Sequence, residues 1–211
     1  MTKILILAGI LVALKVLQPV LRVLIAAVAA KPVGRRALEK QPDTVHLTPA
    51  DQSAWKDRAA VGAIAGGFRP LGFEDAGTYA IDELRGVTVR LLVNSAESSY
   101  ASIYEHPKAG VWFDIVTRYA DGTSATFSSA RPTGLGQRPG HSITNFPNQS
   151  AVQVFEQARA TRPQGVFAGH AADRVARDFE TAFAESMAWR KGNGFSTREV
   201  VNVAMRPRKA A

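Results

Sequence analysis

Cysteine is absent from this sequence of 211 residues, and histidine occurs only four times. Without cysteine the chain can form no disulfide bond, thiolate metal site or thiol nucleophile. The histidines lie far apart, none within five residues of another, and no HExxH pattern is present. Metal sites usually show closely spaced ligands. We therefore expect no metal and no cofactor.

A uniformly basic domain is also lacking, although the net charge is +8. Residues 1–40 contain seven Lys or Arg and one Glu, whereas residues 41–211 contain nineteen Lys or Arg and seventeen Asp or Glu. Nucleic-acid-binding domains normally carry a clustered basic face. The near balance of residues 41–211 argues against a nucleic-acid partner, and the basic N-terminal part suits anionic lipid headgroups instead.

The chain does have a long apolar segment at its start. Residues 4–30 are almost wholly apolar, and as a helix they would span about 40 Å, more than the ~30 Å hydrocarbon core of a bilayer. We predict a single-pass transmembrane helix within residues 1–30, with the lipid bilayer as a partner. A polar stalk over 31–47, one domain over 48–205 and a basic tail over 206–211 are expected to follow.

A narrow polar stripe interrupts this segment. On a helix, Lys15, Gln18 and Arg22 fall within roughly 60° of one another, and Pro19 between them is expected to kink the helix. Charges inside a membrane usually face protein or water. The stripe therefore favours contact with another membrane helix, from a second copy or a partner. Snorkelling side chains, or a helix lying in the interface, are the alternatives.

Two properties of the segment stay open. Its end carries a small-x-small pattern typical of signal-peptide cleavage, but the intervening charges and proline favour an uncleaved anchor. Four basic residues between positions 31 and 40 follow the segment, whereas only Lys3 and the amino terminus precede it. The positive-inside rule then favours a cytoplasmic domain, while a conventional signal anchor favours the opposite side.

The domain is predicted to be α+β. Thr48 and Pro49 are typical of an N-cap and a first helical residue, so a helix is expected to run from there to about Ala65. Short segments rich in β-branched and aromatic residues then predict an antiparallel meander of five or six strands. The predicted strands are Gly77–Ile81, Val87–Val93, Tyr100–His106, Val111–Tyr119, Thr123–Ala130 and, as a sixth, Ile143–Phe146.

The C-terminal part is predicted to be helical. Ser150 and Gln153 form a capping-box pattern, as do Ser196 and Glu199. Between them, apolar residues recur every four positions from Val175 to Met187, which predicts a helix over about 171–191 with one core face. We expect these helices to pack together on one face of the sheet.

The turns predict the strand pairing. Asp121–Gly122 favours a two-residue type I′ hairpin that pairs Val116 with Phe127. The four-residue gap 107–110 pairs Tyr104 with Phe113, which would place Glu105 opposite Trp112.

In this register, Glu105, Asp114 and Arg118 share one sheet face. Two carboxylates beside an arginine and a tryptophan could bind a ligand or perform acid–base chemistry. A solvated sheet face is the common alternative. No catalytic set is predicted, and the candidate ligand-binding residues are Glu105, His106, Trp112, Asp114, Arg118 and His141.

Two runs carry a resemblance to other proteins. The segment Tyr100–His141, with its run YEHPKAGVWFDIVTRYADGT, and the later run FAESMAWR resemble an uncharacterised group of bacterial membrane-anchored proteins with one small α+β domain. The resemblance implies this architecture and no activity, substrate or site residue.

These features favour a non-enzymatic membrane protein whose α+β domain binds another protein or steadies a membrane complex. A membrane-tethered sensor or carrier of a small or lipid-like ligand is the second hypothesis. An enzyme using the candidate residues is the third.

Overall fold

The computed structural model describes residues 35–36, 38–196 and 198–199. The predicted membrane helix with Lys15, Gln18 and Arg22 lies outside these residues, as does the basic tail. In the part that is described, no helix is long and apolar enough to span a membrane. The chain divides into two compact units. The larger is Pro42–Pro132 with Gln137–Trp189, and the smaller is Met1–Gln41, Thr133–Gly136 and Arg190–Ala211.

The larger unit is built on one seven-stranded sheet whose strands are neighbours in chain order. The strands are β1 (Leu47–Pro49), β2 (Glu74–Ile81), β3 (Thr88–Asn94), β4 (Ser99–His106), β5 (Gly110–Arg118), β6 (Ser124–Ser128) and β7 (His141–Asn145). Strands β1 to β6 pair antiparallel, whereas β6 and β7 are parallel.

The α+β class is thus confirmed, but the prediction of a purely antiparallel sheet with five or six strands is wrong. Twelve residues separate β6 from β7, about the length that a parallel crossover needs. The predicted sixth strand is thus present as β7, and the strand that was not predicted is β1, in which Thr48 pairs with Ala80 and Pro49 with Tyr79. Proline is tolerated there because β1 is an edge strand.

Three helices of eleven or more residues lie in the described part of the chain. Helix α1 is Arg58–Phe68, not a helix from Thr48; its N-cap is Asp57, whose side chain accepts from the Ala60 N–H at 2.9 Å. Helix α2 is Ala151–Thr161, and the predicted capping box at its start is confirmed. Helix α3 is Val175–Asn193, and the left-handed Gly194 (φ +67°) follows it.

Helices cover both faces of the sheet, so the prediction that they share one face is wrong. Side chains of α1 and α2 pack in a first core with Phe113, Ile115 and Phe127. Side chains of α3 pack in a second core with Val89 and Leu91. Strand β4 shows this two-sided burial, because Ala101 and Ile103 belong to the first core and Tyr100 belongs to the second.

The predicted pairing of β5 with β6 is wrong by one residue. Val116 pairs with Thr126, not with Phe127. A type I′ turn needs positive φ at both central residues, but Asp121 lacks it and only Gly122 has it (φ +84°). The loop therefore has three residues instead of two, which shifts the register.

The pairing of β4 with β5 differs from the prediction in the same way. Tyr104 pairs with Trp112, not with Phe113. Left-handed Gly110 (φ +79°) belongs to β5 and ends a three-residue loop. Since side chains alternate along a strand, a one-residue slip moves each of them to the opposite face relative to its neighbours.

The smaller unit contains the second predicted capping box, which is confirmed. The Ser196 N–H donates to Glu199 at 2.7 Å, and the Glu199 N–H donates to the Ser196 hydroxyl at 3.2 Å. Arg190 donates to the same carboxylate at 2.8 Å, as does the Gly136 N–H. Burial opposes the charge, but these hydrogen bonds lower the pKa of Glu199 to about 2.

Replacing Gly77 by alanine is expected to lower the free energy of unfolding by about 1–3 kcal/mol. Gly77 lies at a bulge in β2 with a φ of +117°, and a Cβ there would be 2.8 Å from the Tyr79 hydroxyl. The hydroxyl is held by the Ala76 carbonyl at 2.8 Å. Urea unfolding of the full chain, followed by tryptophan fluorescence, measures the change.

The matched control is Gly62→Ala in α1. A Cβ at Gly62 meets nothing within 4 Å, so this substitution is expected to raise the free energy of unfolding by about 0.5–1 kcal/mol. Equal effects of the two substitutions would contradict the strained bulge.

Candidate functional site

A row of polar residues crosses four neighbouring strands on one sheet face. Ser102 in β4 pairs with Asp114 in β5, Asp114 pairs with Ser128 in β6, and Ser128 pairs with Asn145 in β7. Directly paired residues lie on the same face of a sheet. This is the face of the second core, to which α3 contributes Val175.

Two polar atoms in the middle of this row have no hydrogen-bond partner among the described residues. Ser102 is fully buried and its Oγ is unpaired, and Asp114 Oδ1 is shielded from solvent and unpaired as well. Leaving such an atom unpaired costs about 1–3 kcal/mol. Buried unpaired groups are rare in native proteins and often have a functional explanation. Here two of them belong to residues that lie directly opposite each other in β4 and β5.

The Asp114 carboxyl binds its proton more strongly than an ordinary aspartate does. Burial raises its pKa to about 6, and hydrogen bonding from Ser128 and Tyr104 lowers the pKa only in part. Asp114 as a whole residue is half-buried. The raised pKa therefore comes from protein atoms packed around the carboxyl, while other atoms of the residue stay accessible to solvent. A carboxyl perturbed by burial in this way is a candidate functional group.

An aromatic pair borders the carboxyl on the same face. Tyr104 and Trp112 are paired across β4 and β5, and their rings stack with centroids 4.9 Å apart at 17°. Both residues are half-buried. Burial raises the pKa of the Tyr104 hydroxyl well above its ordinary value, so this hydroxyl stays neutral. The site thus combines a carboxyl, neutral hydroxyls and partly exposed aromatic surface.

Arg118 and His141 lie on this face but at a different level. Arg118 is four residues from Asp114 along β5, or roughly 13 Å. It lies 3.8 Å from the Glu185 carboxylate and donates to the Asp178 carbonyl at 3.4 Å. The His141 ring is hydrogen-bonded to the Ser124 hydroxyl at 2.8 Å.

Burial lowers the pKa of His141, and the positive charge of Arg138 adds to this effect. Arg138 is itself 3.2 Å from the Glu185 carboxylate. Arg118 and Arg138 therefore bind the same acidic side chain of α3. Their charges are paired within the protein, so this part of the sheet gives no reason to expect a ligand.

Glu105 lies on the opposite face from Asp114, because it pairs with Val111 and not with Trp112. Its buried carboxylate accepts the backbone N–H groups of Lys56 at 2.7 Å and Asp57 at 2.8 Å. Both oxygens are therefore used to hold the segment that leads into α1. This arrangement gives Glu105 a structural role.

His106 closes the hairpin between β4 and β5. Its Nδ1 accepts the backbone N–H groups of Lys108 and Ala109, each at 3.1 Å. Of the six candidate residues from the sequence, the structure brings Trp112 and Asp114 together. The other four lie at the hairpin, at another level of the sheet or on its other face.

Sequence reasoning did not place Ser102 and Ser128 in the site. The available signal was a small hydroxyl residue at the centre of the apolar run YASIY, two positions from Tyr104. Only the correct register shows that this serine faces Asp114.

A buried histidine was also missed. Neither ring nitrogen of His170 makes a well-formed hydrogen bond with the described residues, and its ring packs edge-on against Tyr100 with centroids 4.9 Å apart. Burial lowers the pKa of His170, and the Asp178 carboxylate 3.7 Å away opposes this. His170 therefore favours its neutral form in the folded protein.

Comparisons with protein-family models, curated proteins and solved structures give no match for this chain. Within residues 35–36, 38–196 and 198–199, no three His, Asp or Glu side chains are placed to hold a metal ion. The fold and site define a class in physical terms: an α+β domain with a carboxyl lined by hydroxyl and aromatic groups on one sheet face.

Proposed function

We propose that this chain is a membrane-tethered binding protein whose larger unit takes up a small polar ligand at Ser102, Asp114 and Ser128. The unpaired Ser102 Oγ and Asp114 Oδ1, which belong to residues directly opposite each other in β4 and β5, carry the proposal. A ligand with hydrogen-bond donors would pair both atoms. Each bond to the charged carboxylate would contribute about 1.5–3 kcal/mol.

The Ser102 and Tyr104 hydroxyls favour binding over catalysis, because neither is activated as a nucleophile. A serine nucleophile needs a base within hydrogen-bond reach. Among the described residues Ser102 Oγ makes no well-formed hydrogen bond, and the neighbouring Tyr104 hydroxyl is not a base. The Tyr104 hydroxyl stays protonated because burial raises its pKa. The site therefore offers positions for hydrogen bonds more readily than an activated nucleophile.

The tether is part of the proposal and rests on the apolar residues 4–30. Their length suits a single-pass transmembrane helix, and the basic residues after them favour the cytoplasmic side for the larger unit. The expected architecture is that of the bacterial membrane-anchored proteins which the sequence resembles.

A second candidate function is that of an accessory subunit in a membrane complex. The stripe of Lys15, Gln18 and Arg22 supports it, because such residues usually contact another protein inside a membrane. Purification of the full chain in mild detergent, beside a Lys15→Leu/Arg22→Leu variant, tests this candidate. A stoichiometric partner with the unaltered chain and none with the variant is expected; the same composition in both would contradict it.

A fragment screen on the full chain in detergent tests the binding function. Small molecules that are cationic, neutral or anionic, each with hydrogen-bond donors, are observed by ligand-detected NMR. Hits are expected with the unaltered protein and not with Ser102→Val. Ser142→Val, at an exposed position in β7, is the matched control and should keep them. If no charge class gives a hit that depends on Ser102, the proposed function is wrong.

A further inference from the structure

The charge around Asp114 indicates which ligand class this site would take. The influences on its pKa are burial and the Ser128 and Tyr104 hydroxyls, with no contribution from a basic side chain. Arg118, the basic residue on the same strand, is engaged by Glu185 and by the Asp178 carbonyl. Among the residues that the structure describes, the Asp114 carboxylate therefore has dense surroundings and no cationic partner.

An isolated charge in such surroundings is unfavourable, and a cation in direct contact relieves the cost. The unpaired atoms Asp114 Oδ1 and Ser102 Oγ are both acceptors when Asp114 is ionised. A ligand that carries positive charge and at least two N–H donors would pair both. A quaternary ammonium group has no N–H donor and would leave them unpaired.

The aromatic pair provides the second half of the recognition. Trp112 and Asp114 are two residues apart in β5, so both side chains lie on the same face. Trp112 stacks on Tyr104 and keeps part of its surface accessible. Aromatic surface beside a carboxylate attracts a cation through its ring electrons and packs against an alkyl chain.

We propose that the ligand is a small primary or secondary amine, bound as its ammonium form. Its N–H groups donate to Asp114 Oδ1 and Ser102 Oγ, and its carbon chain packs against Trp112 and Tyr104. This inference rests on the proposed binding function and names the ligand class of the same site.

Indole NMR signals of the full chain in detergent micelles provide the test. The chain has three tryptophans, so ¹⁵N-tryptophan labelling gives three indole signals, and Trp112→Phe identifies the one at the site. Trp55 belongs to the first core on the other face and serves as the internal control. The probes are n-propylammonium, n-propanol and tetramethylammonium, each as a titration at pH 7.5.

The expected result is a saturable shift of the Trp112 signal with n-propylammonium, at least tenfold weaker binding of the other two probes, and no shift of Trp55. Asp114→Asn is expected to weaken n-propylammonium binding at least tenfold while the Trp55 signal stays in place. Equal binding of n-propanol would overturn the assignment of a cation, and equal binding of tetramethylammonium would overturn the role of the N–H donors.

A Trp112 signal that moves with none of the three probes would also overturn the inference. The fragment screen separates this failure from failure of the binding function. Neutral or anionic hits that depend on Ser102 would leave the function standing with a different ligand class.

Discussion

Replacing Glu105 by alanine is expected to lower the free energy of unfolding by about 3 kcal/mol. The Glu105 carboxylate is buried and accepts the backbone N–H groups of Lys56 and Asp57 just before α1. Hydrogen bonds to a charged group contribute about 1.5–3 kcal/mol each, and the two donors would be left without their acceptor. Urea unfolding followed by tryptophan fluorescence measures the loss, since Trp55 precedes these donors directly.

Two variants make this result specific. Glu105→Gln keeps one acceptor oxygen of similar shape and is expected to lose about half as much. Glu156→Ala removes an exposed carboxylate from α2, where substitutions usually change stability by less than about 0.5 kcal/mol. A loss at Glu105 no larger than that at Glu156 would contradict the structural role.

Neutralising Asp114 is expected to have the opposite effect. Burial raises the pKa of Asp114 from the ordinary value of 3.8 to about 6, so the folded state favours the protonated form. The stability from this group is fully present below pH 3.8 and is lost as the pH rises through 6. Each pKa unit corresponds to about 1.4 kcal/mol, so ionised Asp114 costs the folded protein at most about 3 kcal/mol.

The Asp114→Asn variant is therefore expected to be more stable than the unaltered chain by up to about 3 kcal/mol at pH 7.5, and by less than about 1 kcal/mol at pH 4. Urea unfolding at both pH values measures the difference. Other groups titrate over this range, but their effects cancel between the two proteins. A variant that is less stable at pH 7.5 would show that the carboxylate is paired and stabilising.

The two carboxylates show what sequence reasoning can reach. Both Glu105 and Asp114 were candidate binding residues, because the predicted register placed them on one sheet face beside Arg118 and Trp112. Their roles depend on which face each occupies, and that depends on one residue of register. Gly110 and Gly122 are left-handed, and both loops have three residues where the sequence predicted four and two. Local sequence patterns do not specify the loop length that closely.

Features with a local cause were predicted well. The capping boxes at Ser150 and Ser196 follow from hydrogen bonds within three residues, and the strands β2 to β6 follow from runs of β-branched and aromatic residues. Features that depend on residues distant in the sequence were not predicted well. Strand β7 pairs with β6 only after a twelve-residue connection, and Thr48 joins a sheet whose partner strand lies thirty residues away.

The central claim is that the Asp114 carboxyl lies buried on its sheet face with no cationic partner among the described residues. A ¹³C NMR titration of the aspartate carboxyl signals of the full chain tests it most directly, with Asp114→Asn identifying the signal. The account predicts that this carboxyl titrates with a pKa of about 6. A pKa at or below the ordinary 3.8 would show that a positive or donor group already holds the carboxylate, and would contradict both the site and the ligand inferred for it.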